Sequence, residues 1–202
     1  MKKNEDVKER ILKESIKLFL SKGFYGSTTN ELVRLAGISK GALYWHFKDK
    51  FDILSNILNK YCYEFLDVSK EVLDSSKGDF PQKFNAFYKF TSEFARDNRE
   101  LLLVFTSLLV EFAGSGSELE KRMKEINDHY VLMIQKSIED GIQEGSVRKE
   151  INAIIYSRII AASLMGSHIL WHLHFTSYEN NPDFNRQHAI TQRDELVRML
   201  LA

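Results

Sequence analysis

The sequence predicts an all-α fold. Only two prolines, Pro81 and Pro182, occur in 202 residues. No strand-like alternation persists along the chain, and apolar residues recur at helical spacing between glycine, serine and asparagine breaks.

The first helix is expected near residues 5–21. Val7, Ile11, Leu12, Ile16, Leu18 and Phe19 share one broad face, and Gly23 stops it. Thr28-Thr29-Asn30-Glu31 has the form of a capping box and opens a second helix through about Ala36. Gly37 makes a turn and Ser39 caps a third helix over 40–46. A fourth helix starts near Lys50 and runs toward Ser75. DSSKGDFP breaks it, and Pro81 suits the first turn of a helix to about residue 97. LLLVFTSLLVEF is apolar nearly all round and is expected to be central and buried. After AGSGS, Ser117 and Glu120 resemble a second capping box, opening a helix to about Glu144. EGSVRKE separates this from an apolar helix near 151–175. SYENNPDFN precedes a last helix running to the C-terminus.

Composition narrows the function classes. Charged residues are 28% and apolar residues 44%, the balance of an ordinary soluble protein. Cys62 is the single cysteine, so no disulfide forms within the chain. MKKNEDVKER has no apolar core of a secretory signal, and a cytoplasmic location is expected. Residues 153–171 are apolar enough to suggest a membrane span. Arg158 and His168 within them would be costly at mid-bilayer, so a buried helix and no membrane are expected. Formal net charge is +0. Residues 1–50 hold 11 Lys+Arg against 6 Asp+Glu, a net of +5 that the remaining chain cancels. A basic head on an acidic body points to an anionic partner at the head.

The stretch GISKGALYWHFKDK, residues 37–50, carries the chemistry. Two short helices joined by a glycine turn form a helix-turn-helix, whose second helix enters the major groove of DNA. A helix pair inside a bundle satisfies the same spacing. Lys40, Gly41 and Ala42 form the first turn of the third helix, and the two small residues let backbone approach base edges. Tyr44, Trp45 and His46 offer polar hydrogens to phosphates and apolar contact to thymine methyls. Lys48 and Lys50, and Thr28, Thr29 and Asn30 at the start of the second helix, are placed to grip phosphates.

The stretch FLSKGFYGSTTNELVRLAGISKGALYWHFKDK closely resembles the DNA-binding domain of TetR-like regulators. Phe19, Gly23, Phe24, Thr28, Thr29, Ala36, Gly37, Ser39, Gly41, Leu43, Tyr44, His46, Phe47 and Lys50 carry the likeness, over about residues 8–54. Leu32-Val33 departs from the usual Ile-Ala, Ile38 from Val, and Phe51 from an acidic residue. The resemblance aligns Thr29, Lys40, Gly41, Ala42, Tyr44, Trp45, His46 and Lys50 with DNA-contact positions. It implies a helix-turn-helix domain over 1–49 and a ligand-binding and dimerisation domain over 50–202. The expected partners are a double-stranded operator, a second copy of the chain through about 151–175 and 184–201, and a small-molecule effector. No cofactor is implied.

In the body, aromatic residues cluster over 80–112 beyond what a small core usually needs. Phe87, Phe90, Phe94 and Phe105, with Tyr156, are candidate walls of an apolar effector cavity. Glu111 and Arg158 stand in apolar runs, where a lone charge must pair, reach an edge or meet a ligand. They are candidate anchors for a charged effector end. His168, His172 and His174 have partial metal-ligand spacing, but no cysteine lies near, and a half-exposed cluster is favoured over zinc. No phosphate loop, nucleophile elbow or metal-ligand motif is present, so no catalytic residue is expected. The alternative is a helical interaction protein that does not bind DNA.

Overall fold

The computed structural model describes residues 6–174 and 182–201. The helices in chain order are α1 (Val7–Lys22), α2 (Thr29–Ala36), α3 (Lys40–His46), α4 (Lys50–Tyr61), α5 (Val68–Ser75), α6 (Phe80–Asp97), α7 (Arg99–Phe112), α8 (Glu118–Glu144), α9 (Ala153–Leu173) and α10 (Pro182–Arg198). Among the described residues the extended pairing is limited to an isolated bridge between Val147 and Leu201.

Two compact units result. The first holds the chain up to Glu64 together with Asn98–Met123, and the second holds Phe65–Asp97 and the chain from Lys124. This division differs from the expected boundary at residue 49, because α7 packs on α1 and α4 and joins the N-terminal unit.

In the first unit the helix ends follow local chemistry. Asp6 caps α1, and Gly23 ends it with φ 74°. Thr28 and Glu31 form the complete capping box of α2. Ser39 accepts the Ala42 amide at 3.1 Å to start α3. The core joins Ile11, Phe19, Phe24, Leu32, Leu43, Phe47, Ile53 and Leu54. Phe24 meets Phe19 edge-on at 5.4 Å and Phe112 of α7 at 5.5 Å. Truncating such a ring to alanine costs about 3–5 kcal/mol. As expected, α7 buries Leu101, Leu102, Val104, Phe105, Leu108 and Phe112, although Val110 is exposed.

The anticipated single helix over 50–75 is interrupted by a π-helical segment, Cys62–Asp67. A widened turn carries one extra residue, which turns Phe65 and Leu66 inward together. The second capping box is only half formed. Ser117 accepts the Glu120 amide at 3.1 Å, but the Glu120 carboxylate takes the amides of Gly114 and Gly116 at 3.0 and 2.6 Å.

In the second unit α6 packs on α5 and α10. Tyr88 donates its hydroxyl to the Gln192 amide oxygen at 2.9 Å, and the Gln192 nitrogen reaches the Ser163 hydroxyl at 3.1 Å. Arg148 donates its backbone amide to Leu200 at 3.0 Å and its guanidinium to the Met199 carbonyl at 2.6 Å. These bonds hold the chain's end, so Leu196, Val197 and Leu200 are buried within the chain. Of the stretch 184–201 expected to meet a second copy, these three residues are thus taken up within the chain, while Met199 is exposed.

The expectation of a buried helix at 153–171 is also corrected. Only 28% of the most apolar window of α9 is buried within the chain. Ile154, Ile155, Ile159, Ile169, Leu170 and Leu173 are exposed. Ile160, Ala161 and Leu164 face inward, and the apolar residues continue around the helix onto the open side.

Candidate nucleic-acid interface

The candidate surface is built from short elements anchored by a few apolar side chains. Gly37 ends α2 in the left-handed conformation, φ 61°, which a residue with a Cβ adopts only under strain. Its amide reaches the Arg34 carbonyl at 3.3 Å, and the Ile38 amide reaches Val33 at 3.2 Å. The chain then turns directly into α3. Leu43 and Phe47 sink into the core of the unit, each 1% exposed, and fix how α3 is rotated.

That rotation decides what faces out. Lys40, Gly41, Tyr44, Trp45 and Lys48 are exposed, and Ala42 and His46 are half-buried. Trp45 is 80% exposed and meets His46 edge-on at 4.5 Å. Positions 40 and 44, and 41 and 45, lie one turn apart, so they form one face. A large aromatic surface left open beside lysines suits phosphates and base edges better than it suits water. At the start of α2, Thr29 is half-buried and Asn30 exposed.

Thr28 has a second occupation. Its hydroxyl accepts the Glu31 amide at 3.2 Å and donates to the Glu31 carboxylate at 2.9 Å. Lys22 pairs with the same carboxylate. The bonds from Lys22, then those from Thr28, hold the Glu31 carboxyl below the usual carboxylate range.

Lys50 is placed differently from the expectation of a phosphate ligand. Its ammonium donates to the carbonyls of Phe24 and Ser27, at 2.6 and 2.8 Å, and sits 4.4 Å from the centre of the Phe24 ring. Burial lowers its pKa, and the nearby Glu111 carboxylate opposes that shift. Lys50 therefore braces the turn between α1 and α2. Phe51 does not leave the start of α4 without a carboxylate, since Asp49 caps it and Asp52 stands in its first turn. The Phe51 ring instead meets Phe24 edge-on at 5.0 Å.

The geometry is that of a helix-turn-helix with its second helix open, and comparison with known proteins agrees. Residues 11–57 match the profile of bacterial regulatory proteins of the tetR family. Residues 11–57 are thus a TetR-type DNA-binding domain. Among TetR-like relatives, the HTH-type transcriptional repressor BepR of Brucella suis biovar 1 (strain 1330) is 25% identical over 167 residues, 80% of this chain and 78% of that protein. The fatty acid metabolism regulator protein of Bacillus subtilis (strain 168) is 21% identical over 179 residues, 89% of this chain and 90% of that one. The crystal structure of the MbdR regulator from Azoarcus sp. CIB superposes with a TM-score of 0.82 at 22% identity, covering 97% of this chain and 100% of its own. FadR of Bacillus subtilis, solved in complex with stearoyl-CoA, gives a TM-score of 0.73 at 19% identity, covering 96% and 97%. These structural likenesses establish the TetR fold. Its relatives carry the names of transcriptional regulators.

The candidate effector residues divide between the units. Phe87, Phe90 and Phe94 come together in the second unit around Phe65 and Tyr130, whose aromatic rings the sequence also offers as cavity walls. Phe65 lies 4.9 Å from Phe94 and 6.2 Å from Phe90, and Tyr130 lies 5.4 Å from Phe65 and 6.1 Å from Phe87. Burial raises the Tyr130 hydroxyl well above the ordinary tyrosine range, so it stays neutral. Tyr156 is half-buried on α9 of the same unit. Phe105 belongs to the first unit, stacked on Tyr61 at 3.9 Å with the rings 7° from parallel.

The two charged anchors are placed elsewhere. Arg158 is exposed on α9. The Glu111 carboxylate accepts the backbone amides of Phe24 and Tyr25 at 2.8 and 2.9 Å. Both satisfy the rule that a charge in an apolar run finds water or a partner. His168 is half-buried and His172 buried, while His174 is exposed. Burial, with a smaller contribution from His172, pushes the His168 imidazole down to about 4, so it is neutral at physiological pH.

Proposed function

We propose that the protein is a dimeric repressor acting in the cytoplasm. It binds a palindromic operator through α3 and is released when a small apolar or aromatic effector binds within residues 50–202. The observation that carries this reading is the outward face of α3, where Lys40, Gly41, Tyr44 and Trp45 lie open together. The contact set is Thr29, Asn30, Lys40, Gly41, Ala42, Tyr44, Trp45, His46 and Lys48, with Thr28 and Lys50 shaping the backbone that carries them.

Dimerisation supplies the second half-site. Two recognition helices enter successive major grooves when they stand about 34–36 Å apart or a multiple of that. The exposed aliphatic residues of α9 support such a pairing, since obligate dimer interfaces are large and hydrophobic. The aromatic group of Phe65, Phe87, Phe90, Phe94 and Tyr130 supports an apolar effector. With Arg158 exposed and Glu111 engaged, a neutral effector fits better than a charged one. An effector favouring one head spacing by about 1–3 kcal/mol changes DNA affinity roughly 5–150-fold, and DNA changes effector affinity by the same factor.

The test is a gel shift with the DNA upstream of the protein's own gene, against random duplex at moderate salt. Specific, salt-sensitive binding is expected. No preference over random duplex overturns the repressor reading and favours a helical interaction protein.

A further inference from the structure

We propose that Glu111, on α7, is a positioning residue for DNA recognition: it latches the turn between α1 and α2 and so sets how the two reading helices are presented. The proposal rests on the reading of the first unit as a DNA-binding head.

The turn begins where α1 stops. At Gly23, with φ 74° and ψ 167°, the chain leaves the helix, and the amides of Phe24 and Tyr25 have no helical carbonyl to meet. Successive amides pointing one way form an anion-binding concavity. The anion here is the Glu111 carboxylate, one oxygen to each amide, at 2.8 and 2.9 Å. Such charge-assisted bonds are roughly twice as strong as neutral ones. The φ of Gly23 favours glycine, and a Cβ there would stand 3.1 Å from the carboxylate, close enough to push it by a few tenths of an ångström.

The carbonyl side of the same turn is held by the opposite charge. Lys50 donates to the carbonyls of Phe24 and Ser27, and the Ser27 hydroxyl also reaches Phe24 at 2.7 Å. Phe112, next to Glu111 in sequence, packs against both Phe24 and Tyr25, at 5.5 and 5.3 Å. The segment from Gly23 to Ser27 is thus gripped on its amides by α7 and on its carbonyls by α4. The next residue is Thr28, the cap of α2, followed by Thr29 and Asn30. Whatever fixes this turn fixes the start of α2, and through the Gly37 turn the rotation of α3.

Glu111 lies outside the 11–57 stretch that defines the family's DNA-binding domain. It is contributed by a helix that follows α6 after the single residue Asn98. Both bonds tie the turn to the position of α7, and a slide of one residue's rise, about 1.5 Å, would stretch or bend them.

The experiment uses the full chain and a duplex that the wild type itself selects from a random pool. Glu111→Gln keeps the shape and one acceptor oxygen, and Glu111→Ala removes both. Amide hydrogen exchange at Phe24 and Tyr25 reads the latch, and affinity for the selected and for random duplex reads its consequence. We expect faster exchange at both amides in Glu111→Ala and intermediate exchange in Glu111→Gln. The ratio of selected to random affinity should fall about tenfold in the alanine variant, equivalent to 1.4 kcal/mol, and less in the glutamine variant. A purely structural role lowers both affinities alike by reducing the folded fraction, leaving the ratio unchanged. That result overturns the proposal, as does unchanged exchange at the two amides. Should Glu111→Ala fail to fold, Glu111→Gln alone decides on the same two readings. A wild type that selects no duplex is a different failure, of the DNA-binding reading itself.

Discussion

Helices α3 and α9 both leave apolar side chains in the open, and they do so with different chemistry. On α3 the exposed residues are Tyr44 and Trp45, aromatic groups with polar hydrogens, set among Lys40 and Lys48. On α9 they are aliphatic: Ile154, Ile155, Ile159, Ile169, Leu170 and Leu173. An aromatic face with cations matches a surface of phosphates, bases and water. An aliphatic stripe, interrupted by Arg158, offers few hydrogen bonds and suits another apolar surface better. The difference teaches that exposure of apolar residues is not one signal, and the side chain's polar handle is the basis on which we propose a nucleic-acid face at α3 and a protein face at α9.

The comparison breaks most sharply at α9. Ile155→Asp with Ile159→Asp should convert a dimer to a monomer in sedimentation at micromolar protein. Operator affinity should fall by about 10²–10⁴, because one head then binds without the other. A variant that remains dimeric would place the subunit interface on another surface. Next comes Ala42→Glu, which sets a carboxylate against base edges and phosphates. Its cost should be at least the roughly 1–3 kcal/mol of a good base contact, measured by titration of the operator, with dimerisation unchanged.

Two lysines sharpen the account of the α3 side. Lys48 is exposed, and Lys48→Ala should reduce the slope of log affinity against log salt by about 0.9 for one lost phosphate contact. Lys50→Met should leave that slope alone and destabilise the protein by about 1–3 kcal/mol in denaturant melts, having lost two bonds to backbone carbonyls. If instead Lys50→Met lowers the slope as Lys48→Ala does, Lys50 leaves the turn to meet phosphate.

The smallest effects lie at the cap of α2. Thr28→Ala should cost about 1 kcal/mol of stability. Glu31 adds a pH dependence whose sign is fixed by its lowered pKa. In the unfolded chain it takes up its proton first, so its contribution is complete above the ordinary glutamate range and is lost as pH falls through the lower, folded value. Thermal melts from neutral to acid pH should therefore decline less steeply in Glu31→Gln.

Sequence and structure agree where a feature is local. The Thr28–Glu31 box, the Ser39 cap and the glycine turns at 23 and 37 are each decided by a few adjacent residues, and all were legible. The outward face of α3 was legible too, because a seven-residue helix anchored by Leu43 and Phe47 has one way to sit. The π-helical segment at Cys62–Asp67, which buries Phe65 and Leu66, was not, because no local residue pattern marks it. Nor was the partner of the Glu120 carboxylate: the capping pattern promised the Ser117 amide, and the amides of Gly114 and Gly116 donate to it instead.

By itself the sequence determined the helical class, the ends of the N-terminal helices and the chemistry of the reading face, because hydrogen-bond caps and helical periodicity act within a turn or two of the chain. Tertiary structure alone decided that Glu111 and Lys50 hold one turn from opposite sides, across 87 and 26 residues. It alone decided that α7 joins the N-terminal unit, that Leu196, Val197 and Leu200 are consumed within the chain, and that α9 is left open. The physical reason is that burial and charge pairing depend on which surfaces meet. An apolar or charged residue states that it needs a partner, and only the packed chain determines which partner it gets.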